Sequence, residues 1–400
     1  MNYKTIDDID IFNKNILIRV DINVPKVHNR ITDYTRITTL LPTINYIIEN
    51  GGKPILISHC GRPKGKYVDS LSLLLLVSAL ERVFKRKVVF IDSEYHKRLA
   101  MVNIGEIALL ENLRFDPREE KNDIYFAKEL ADLGDVYVNE AFSCSHRSHS
   151  SIDALARLLP KCAGFSFVTE INALNCIFNK PKLPLTALIG GSKISTKLEL
   201  LNSLILKVDH LIIGGGMANT FLAAQGFEIG TSISEPSMLK IAKSILDKSA
   251  RADCKIHLPV DVVVADNLKA GKSETFRFDK CPKTKMILDA GPDTIKNIKS
   301  IVYLTKTLIW NGPLGAFETR PYDKATNSVA LAVAERTNSG KLISVAGGGD
   351  TVSALSTTGS AENFSYLSTA GGAFLAWLEG KSLPGITALE EYHLEKNNLS

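Results

Sequence analysis

The sequence has no CxxC pair. Its six cysteines, Cys60, Cys144, Cys162, Cys176, Cys254 and Cys281, are scattered, which sets aside thiolate zinc sites and redox dithiols and suits free thiols in a reducing cytosol. It also lacks a long apolar run. The longest, Leu71 to Leu80, is interrupted by Ser72 and Ser78 and is too short to span a bilayer. The first residues carry Asp7, Asp8 and Asp10 and no apolar stretch of signal-peptide length, so a soluble, cytoplasmic protein with no membrane partner is expected. A strong charge excess is missing too: a formal charge of +5 over 400 residues is too small to argue for nucleic acid as a partner. The densest basic run, Lys85 to Lys87 beside Arg82, ends an apolar helical pattern, where cations complement the helix dipole. Several nucleotide signatures are incomplete. Gly271-Lys272-Ser273 and Gly380-Lys381-Ser382 lack the upstream glycine of a P-loop, neither HRD nor DFG occurs, and neither Gly214-Gly215-Gly216 nor Gly347-Gly348-Gly349 completes GxGxxG. P-loop enzymes, protein kinases and nicotinamide dehydrogenases are therefore set aside.

What is present is a large core. With 45% hydrophobic and 23% charged residues, the chain is globular and longer than one core usually spans, so two domains are expected. Short β-branched runs at 16–20, 55–58 and 88–91 alternate with helical patterns at 36–50 and 70–84. In the first of these helices Ile37, Leu40, Leu41, Ile44, Ile47 and Ile48 fall at helical spacing, and Gly51-Gly52 follow as a C-cap. The second half repeats the grammar, with buried-strand runs at 186–189, 211–213, 260–265, 307–310 and 342–345. This predicts an α/β protein of two doubly wound, Rossmann-like parallel-sheet domains. A helix over 162–179, stopped by Lys180-Pro181, is expected to join them. The expected division is 1–170 with a C-terminal tail at 383–400, and 171–382.

Ligands of open parallel sheets bind at the carboxyl ends of the strands, and two clusters fall there. The first comprises Arg19-Val-Asp21-Ile-Asn23, Arg36, His59-Cys60-Gly61-Arg62, Leu113-Arg114 and Asn139-Glu140 with His146-Arg147-Ser148-His149. Each arginine taken singly could be a surface ion pair. Four at corresponding strand ends, Arg36, Arg62, Arg114 and Arg147, point to a small, doubly anionic ligand held by planar donor forks. Asp21 and Asn23 could hold its hydroxyl. The second cluster is glycine-rich: Gly190-Gly191-Ser192-Lys193 with Lys197, Gly214-Gly215-Gly216, Asn311-Gly312-Pro313-Leu314-Gly315, Gly347-Gly348-Gly349-Asp350-Thr351 and Gly371-Gly372. Such loops let backbone amides approach phosphates, and Asp350 is placed to hold a magnesium ion between them. Lys193 and Lys197 are expected to share a helix face and to neutralise a transferring phosphoryl group.

The set RVDINVP, SHCGRPKG, LLENLRF, GGGMANTFLAAQG, LPVDVVVAD, WNGPLGAFE, SVAGGGDTVSAL and FSYLSTAGGAFL resembles the phosphoglycerate kinase family from Arg19 to about Leu389. That resemblance implies phosphoryl transfer between ATP and the carboxylate of 3-phosphoglycerate, giving ADP and 1,3-bisphosphoglycerate, after hinge closure of two domains in a monomer. It implies a 3-phosphoglycerate site of Asp21, Asn23, Arg36, His59, Arg62, Arg114 and Arg147. It implies a nucleotide site of Gly190, Lys193, Lys197, Gly215, Asn311, Pro313, Glu318, Gly347, Gly348, Gly349, Asp350 and Thr351, with Glu318 toward the ribose and Asp350 on magnesium. Arg36, Lys193, Lys197, Gly348 and Gly349 would surround the transferring group, and the C-terminal tail would return to the N-terminal domain. The sequence departs from the family at Cys60, at Ser143-Cys144-Ser145 and at Asp289-Ala290-Gly291-Pro292-Asp293, and Cys60 reads as either a reactive thiol or a small buried filler. A different acyl-phosphate-forming kinase and a non-catalytic nucleotide-binding protein are the competing readings; the arginine-rich site argues against the first, and the presence of both lysines and Asp350 against the second.

Overall fold

The structure is a computed structural model, and it describes residues 3–27, 30–178, 181–269 and 271–390; the statements below concern those residues. The chain divides into two compact units, residues up to 172 together with those from 382 onward, and 173–381.

In the first unit the strands of the main sheet are β1 (Asn15–Arg19), β2 (Lys53–Ile57), β3 (Val88–Ile91), β4 (Ile107–Leu110), β5 (Val136–Asn139) and β6 (Lys161–Ala163), beside a short antiparallel pair of Lys26–Val27 with Arg30–Ile31. The main sheet is parallel, in the order β3-β4-β2-β1-β5-β6. The central strands are apolar on both faces because helices cover both sides: Ile16, Leu17 and Ile18 of β1 are all fully buried. In the second unit β7 (Leu185–Ile189), β8 (His210–Ile213), β9 (Lys255–His257), β13 (Thr307–Asn311), β14 (Ile343–Gly347) and β15 (Tyr366–Ser368) make a second parallel sheet, ordered β9-β8-β7-β13-β14-β15. Three further strands of this unit, β10 (Asp261–Ala265), β11 (Glu274–Arg277) and β12 (Met286–Ala290), form a separate antiparallel sheet ordered β11-β10-β12.

Four expectations are corrected. The helix expected over 36–50 is two, α1 (Thr35–Thr38) and α2 (Leu41–Glu49), because Pro42 has no N–H to continue a helical ladder and is tolerated only in a first turn. Residues 69–76 are 3₁₀ turns, and only α3 (Val77–Phe84) is α-helical; the Ser72 hydroxyl and the Glu111 carboxylate take the Leu74 and Leu73 N–H groups. The joining helix, α4 (Phe165–Phe178), starts later than expected because Lys161–Ala163 pairs with β5. Glu140 caps it, accepting from the Ser166 and Phe167 N–H groups at 3.3 and 2.9 Å, and Gly164 is required because a Cβ there would stand 2.3 Å from Glu140 Cδ. Its proposed stop at Lys180 lies outside the described residues. The run at 260–265 is β10 of the antiparallel sheet, and the edge of the main sheet is taken by Lys255–His257.

The later helices used below are α5 (Leu198–Leu204), α6 (Gly215–Ala224), α7 (Pro292–Leu304), α8 (Lys324–Asn338), α9 (Gly349–Thr357) and α10 (Pro384–Glu390). The last packs within the first unit, where the Gly385 N–H donates to the Ser145 carbonyl at 3.0 Å; the rest of the expected tail, 391–400, lies outside the described residues. No helix among the described residues is long and apolar enough to cross a membrane.

Candidate active site: an arginine cluster and a glycine-loop cavity

In the first unit the cluster sits where β1, β2 and β5 end. Arg19, the last residue of β1, is fully buried. Its Nε donates to Ser151 Oγ at 2.8 Å and its Nη2 to His59 Nδ1 at 3.1 Å. A guanidinium can only donate, so Nδ1 of His59 is the acceptor and its proton sits on Nε2. Burial first, then the charges of Arg19, Arg114 and Arg147, hold His59 far below the usual imidazole range, so the ring is neutral. Beneath it the buried Glu119 accepts from Ser151 Oγ at 2.6 Å and the Ser151 N–H at 3.0 Å, anchoring the chain Glu119, Ser151, Arg19, His59.

The next layer is polar and interlocked. Asp21 Oδ2 accepts from Arg36 Nη1 at 2.7 Å and from the Ser143 hydroxyl. Arg36 Nη1 also reaches the Asn23 carbonyl at 3.1 Å, and Asn23 Oδ1 accepts from the Gly61 N–H at 3.3 Å. Arg114 is buried, donates from Nη1 to the Gly61 carbonyl at 2.8 Å and faces Glu120 at 3.4 Å. Burial, then Arg147 and Arg19, push its pKa down. Arg147 donates from Nε to His146 Nε2 at 3.1 Å, and Arg62 stands exposed in the loop after β2.

This cluster has unspent capacity for an anion. Nη2 of Arg114 and Nδ1 of His149 are buried with no hydrogen-bond partner, the latter 4.0 Å from Glu119 Oε1. Burial followed by Arg114, Arg19 and Arg147 pushes His149 down to about 3. Guanidinium donors left unmatched at such cost are expected where a ligand supplies the acceptors. Ligand atoms of Asp21, His59 and Cys144 lie within 4.8 Å of one another, a set that could hold a metal ion. Burial raises the Cys144 thiol pKa, keeping it protonated, and the surrounding arginines favour an anion over a cation. Cys60 is buried too, and its carbonyl accepts from Asn112 Nδ2 at 2.8 Å.

In the second unit the glycine loops follow β7, β8, β13 and β14 and are tied to one another. Gly190 donates its N–H to the Asn311 carbonyl at 2.9 Å, Gly215 to Leu314 at 2.9 Å, and Met217 to Gly191 at 2.9 Å. A Cβ on Gly190 would come 1.8 Å from the Pro313 carbonyl oxygen. Gly348 has φ +101° and would place a Cβ 2.7 Å from Asn311 Nδ2, whereas a Cβ on Gly349 would meet nothing within 4 Å. Gly348 thus turns the chain from Gly347 into α9, and Gly349 leaves the start of that helix open. Lys197 Nζ donates to the Gly190 carbonyl at 2.6 Å, the Asn311 carbonyl at 3.1 Å and Asn311 Oδ1 at 2.6 Å. Burial pushes its pKa down to about 8, with Asp350 opposing the shift.

Two sequence readings change here. Lys193 and Lys197 do not share a helix face: α5 begins at Leu198 with Lys197 at its cap, and Lys193 is exposed in the preceding loop. The buried Ile194 and the Ser195 N–H, held by Glu235 at 3.0 Å, keep that segment out of the helix. Asn311 and Thr351 have polar atoms already engaged within the protein, Asn311 Nδ2 on the Gly347 carbonyl at 2.6 Å and Thr351 Oγ1 under the Gly312 N–H at 2.7 Å. Beside the loops lies a cavity of about 300 Å³ whose lining includes Gly191, Gly215, Leu288, Leu314, Phe317 and Glu318, with Asp350. An apolar cavity at the mouth of phosphate-binding loops suits a nucleoside. Glu119 and Ser143 were not among the expected site residues; their hydrogen bonds in the fold, from Ser151 Oγ to Glu119 and from Ser143 Oγ to Asp21, are what reveal them.

Two doubly wound units, one ending its strands in an anion-binding arginine cluster and the other in phosphate-type glycine loops beside a cavity, define a kinase. The chain belongs to the phosphoglycerate kinase family, whose model matches residues 6–381. It is 53% identical over 395 residues to the phosphoglycerate kinase of Cereibacter sphaeroides, covering 97% of this chain and 100% of that one. It is 54% identical to that of Ruegeria sp. over 395 residues, 98% and 100% of the two chains. The solved phosphoglycerate kinase of Coxiella burnetii superposes with a TM-score of 0.90 at 39% identity, over 97% of this chain and 98% of that one. That of Pyrococcus horikoshii superposes at 0.82 and 29% identity, over 97% and 98%.

Proposed function

We propose that the first unit binds 3-phosphoglycerate and the second binds ATP or ADP with magnesium, and that the enzyme transfers the terminal phosphoryl group reversibly between ATP and the substrate carboxylate. The observation that carries the substrate assignment is the buried, unpartnered Nη2 of Arg114 within a cluster that also offers Arg36, Arg62 and Arg147. Two anionic groups, a phosphate and a carboxylate, match that supply of forks. Asp21 and Asn23 then hold the substrate hydroxyl, and neutral His59 adds a donor from Nε2.

A carboxylate nucleophile is ionised at neutral pH, so no general base is needed and catalysis rests on positioning and charge neutralisation. Arg36, Lys193, Lys197 and the amides of Gly348 and Gly349 neutralise the transferring group. The remaining nucleotide-site residues, Gly190, Gly215, Asn311, Pro313, Gly347 and Thr351, form the cradle, and exposed Glu318 faces the ribose. Asp350, an exposed carboxylate in the first turn of α9, suits magnesium, which takes one or two protein carboxylates and fills its shell with phosphate oxygens and water; bound there, the ion would screen the phosphate charge. In-line transfer needs both reactants in bonding reach, so the reading includes closure of the units, which also shields the acyl phosphate from water. We further propose that the enzyme acts as a cytoplasmic monomer.

The test is NADH oxidation by the purified protein supplied with ATP, magnesium and 3-phosphoglycerate, coupled through glyceraldehyde-3-phosphate dehydrogenase. Oxidation that requires all three supports the reading; a folded, ATP-binding sample that stays silent overturns it. Activity on acetate with no preference for 3-phosphoglycerate would favour another acyl-phosphate-forming kinase.

A further inference from the structure

Asp289 in β12 has no part in the roles above, yet it is only 2% exposed and borders the cavity. Its Oδ1 accepts from the Ala290 N–H at 2.9 Å and its Oδ2 from the Ala325 N–H at 3.0 Å, and the Lys324 N–H also reaches the carboxylate. Lys324 and Ala325 open α8, so the carboxylate meets the unpaired N–H groups and positive dipole end of that helix.

The first turn of α8 in turn holds the cavity wall. Thr326 Oγ1 accepts from the Leu314 N–H at 3.0 Å, and the Leu288 carbonyl of β12 accepts from the Ala316 N–H at 2.8 Å. Gly315 lies directly on Asp289: a Cβ there would come 2.1 Å from Oδ1. Leu314, Gly315, Ala316 and Phe317 all line the cavity, so both anchors of this wall meet at one buried carboxylate.

We propose that Asp289 is a positioning residue for nucleotide binding: by clamping the start of α8 to β12 it sets where residues 314–317 stand, and so sets affinity for the nucleoside without taking part in transfer. This rests on the nucleotide reading of the cavity. Burial pushes the Asp289 carboxyl up to about 7; Asp323 adds to the rise, and the three backbone N–H groups oppose it. The charged side chains on the elements packed around it are Asp323 and Lys324 at the start of α8, Glu318 on the wall loop, Asp350 on α9 and Asp261 on β10. Asp323 is drawn toward Arg320 at 3.5 Å. Protonation removes the negative charge and leaves one oxygen as a hydroxyl, a much poorer acceptor for an N–H than a carboxylate oxygen, so the clamp weakens as pH falls through about 7.

The experiment uses the full chain and Asp289→Asn, whose amide nitrogen would face an N–H it cannot accept from. The KM for ATP and the inhibition constant of adenosine, a neutral probe of the cavity, should both rise about tenfold, while kcat and the KM for 3-phosphoglycerate stay within about twofold. A kcat loss at unchanged KM, or unchanged adenosine inhibition, overturns the proposal. Should the variant fail to fold, the wild type decides: adenosine inhibition should be weaker at about pH 6 than at about pH 8, since adenosine does not titrate there, and a flat profile overturns the proposal. If the wild type is inactive with ATP and 3-phosphoglycerate, the functional reading fails; an active wild type matched by the variant sinks only the role of Asp289.

Discussion

Lys197 and Asn311 are bonded twice, from Nζ to Oδ1 at 2.6 Å and to the main-chain carbonyl at 3.1 Å. An ammonium group has three donors, and the third goes to the Gly190 carbonyl. Asn311 thus aims the lysine while its own Nδ2 holds the Gly347 carbonyl. Replacing Asn311 with Ala releases the lysine and the loop before α9 together. Turnover should fall on the order of 100-fold, the scale of a misplacement near 1 Å, with a smaller rise in the nucleotide KM. Steady-state kinetics with each substrate varied checks this, and an unchanged kcat would contradict it.

Lys197 also predicts a pH dependence. Burial lowers its pKa to about 8, so the side chain is charged below that pH and neutral above it. In the free enzyme, kcat/KM should therefore fall as pH rises through about 8. Lys197→Ala should abolish most turnover and flatten that arm. A wild-type profile level through the alkaline range would show that the ammonium charge is not needed.

Arg36 and Asp21 form an ion pair at 2.7 Å with side chains 30% and 10% exposed. Pairs with such solvent access contribute about 1 kcal/mol or less, so Arg36→Ala should leave the melting temperature nearly unchanged. Its effect should be functional: kcat/KM for 3-phosphoglycerate falls on the order of 100-fold. A large loss of stability with intact kinetics would make Arg36 a structural residue.

The buried, unpartnered Nη2 of Arg114 predicts stabilisation by anions. 3-Phosphoglycerate at about 100 times its Kd should stabilise the protein by about 2.7 kcal/mol, and inorganic sulfate should do the same more weakly. Arg114→Ala should remove most of this shift in a thermal melt. An equal shift in the variant would place the anion elsewhere.

Gly190→Ala tests the cradle. Its Cβ would stand 1.8 Å from the Pro313 carbonyl, a backbone atom that cannot swing aside. A cost of about 1–3 kcal/mol is expected from overpacking, with weakened nucleotide binding and unaltered affinity for 3-phosphoglycerate. Calorimetry with each ligand separates the two.

What the sequence determined by itself was the alternation of buried strands and helices, the two parallel sheets, and the strand-end loops that hold the candidate site residues. These are local: apolar period, glycine placement and strand-end position are written within a few residues of one another. The arginines 36, 114 and 147 and the lysine at 197 were legible because such residues stand out after strand runs. Tertiary structure decided the rest. Pro42 split a helix whose apolar spacing ran on without a break, and Lys161–Ala163 became a strand because β5 offered an edge to pair with. Lys193 left the helix face because Ile194 is drawn into the core. Glu119 reads as an ordinary charged residue along the chain, and nothing near Arg19, Asp289 or Glu140 in the sequence shows that they are buried. Only the fold removes them from water and surrounds each with partners more than 20 residues away or at a helix start, and a buried charge is tolerated only where such partners converge.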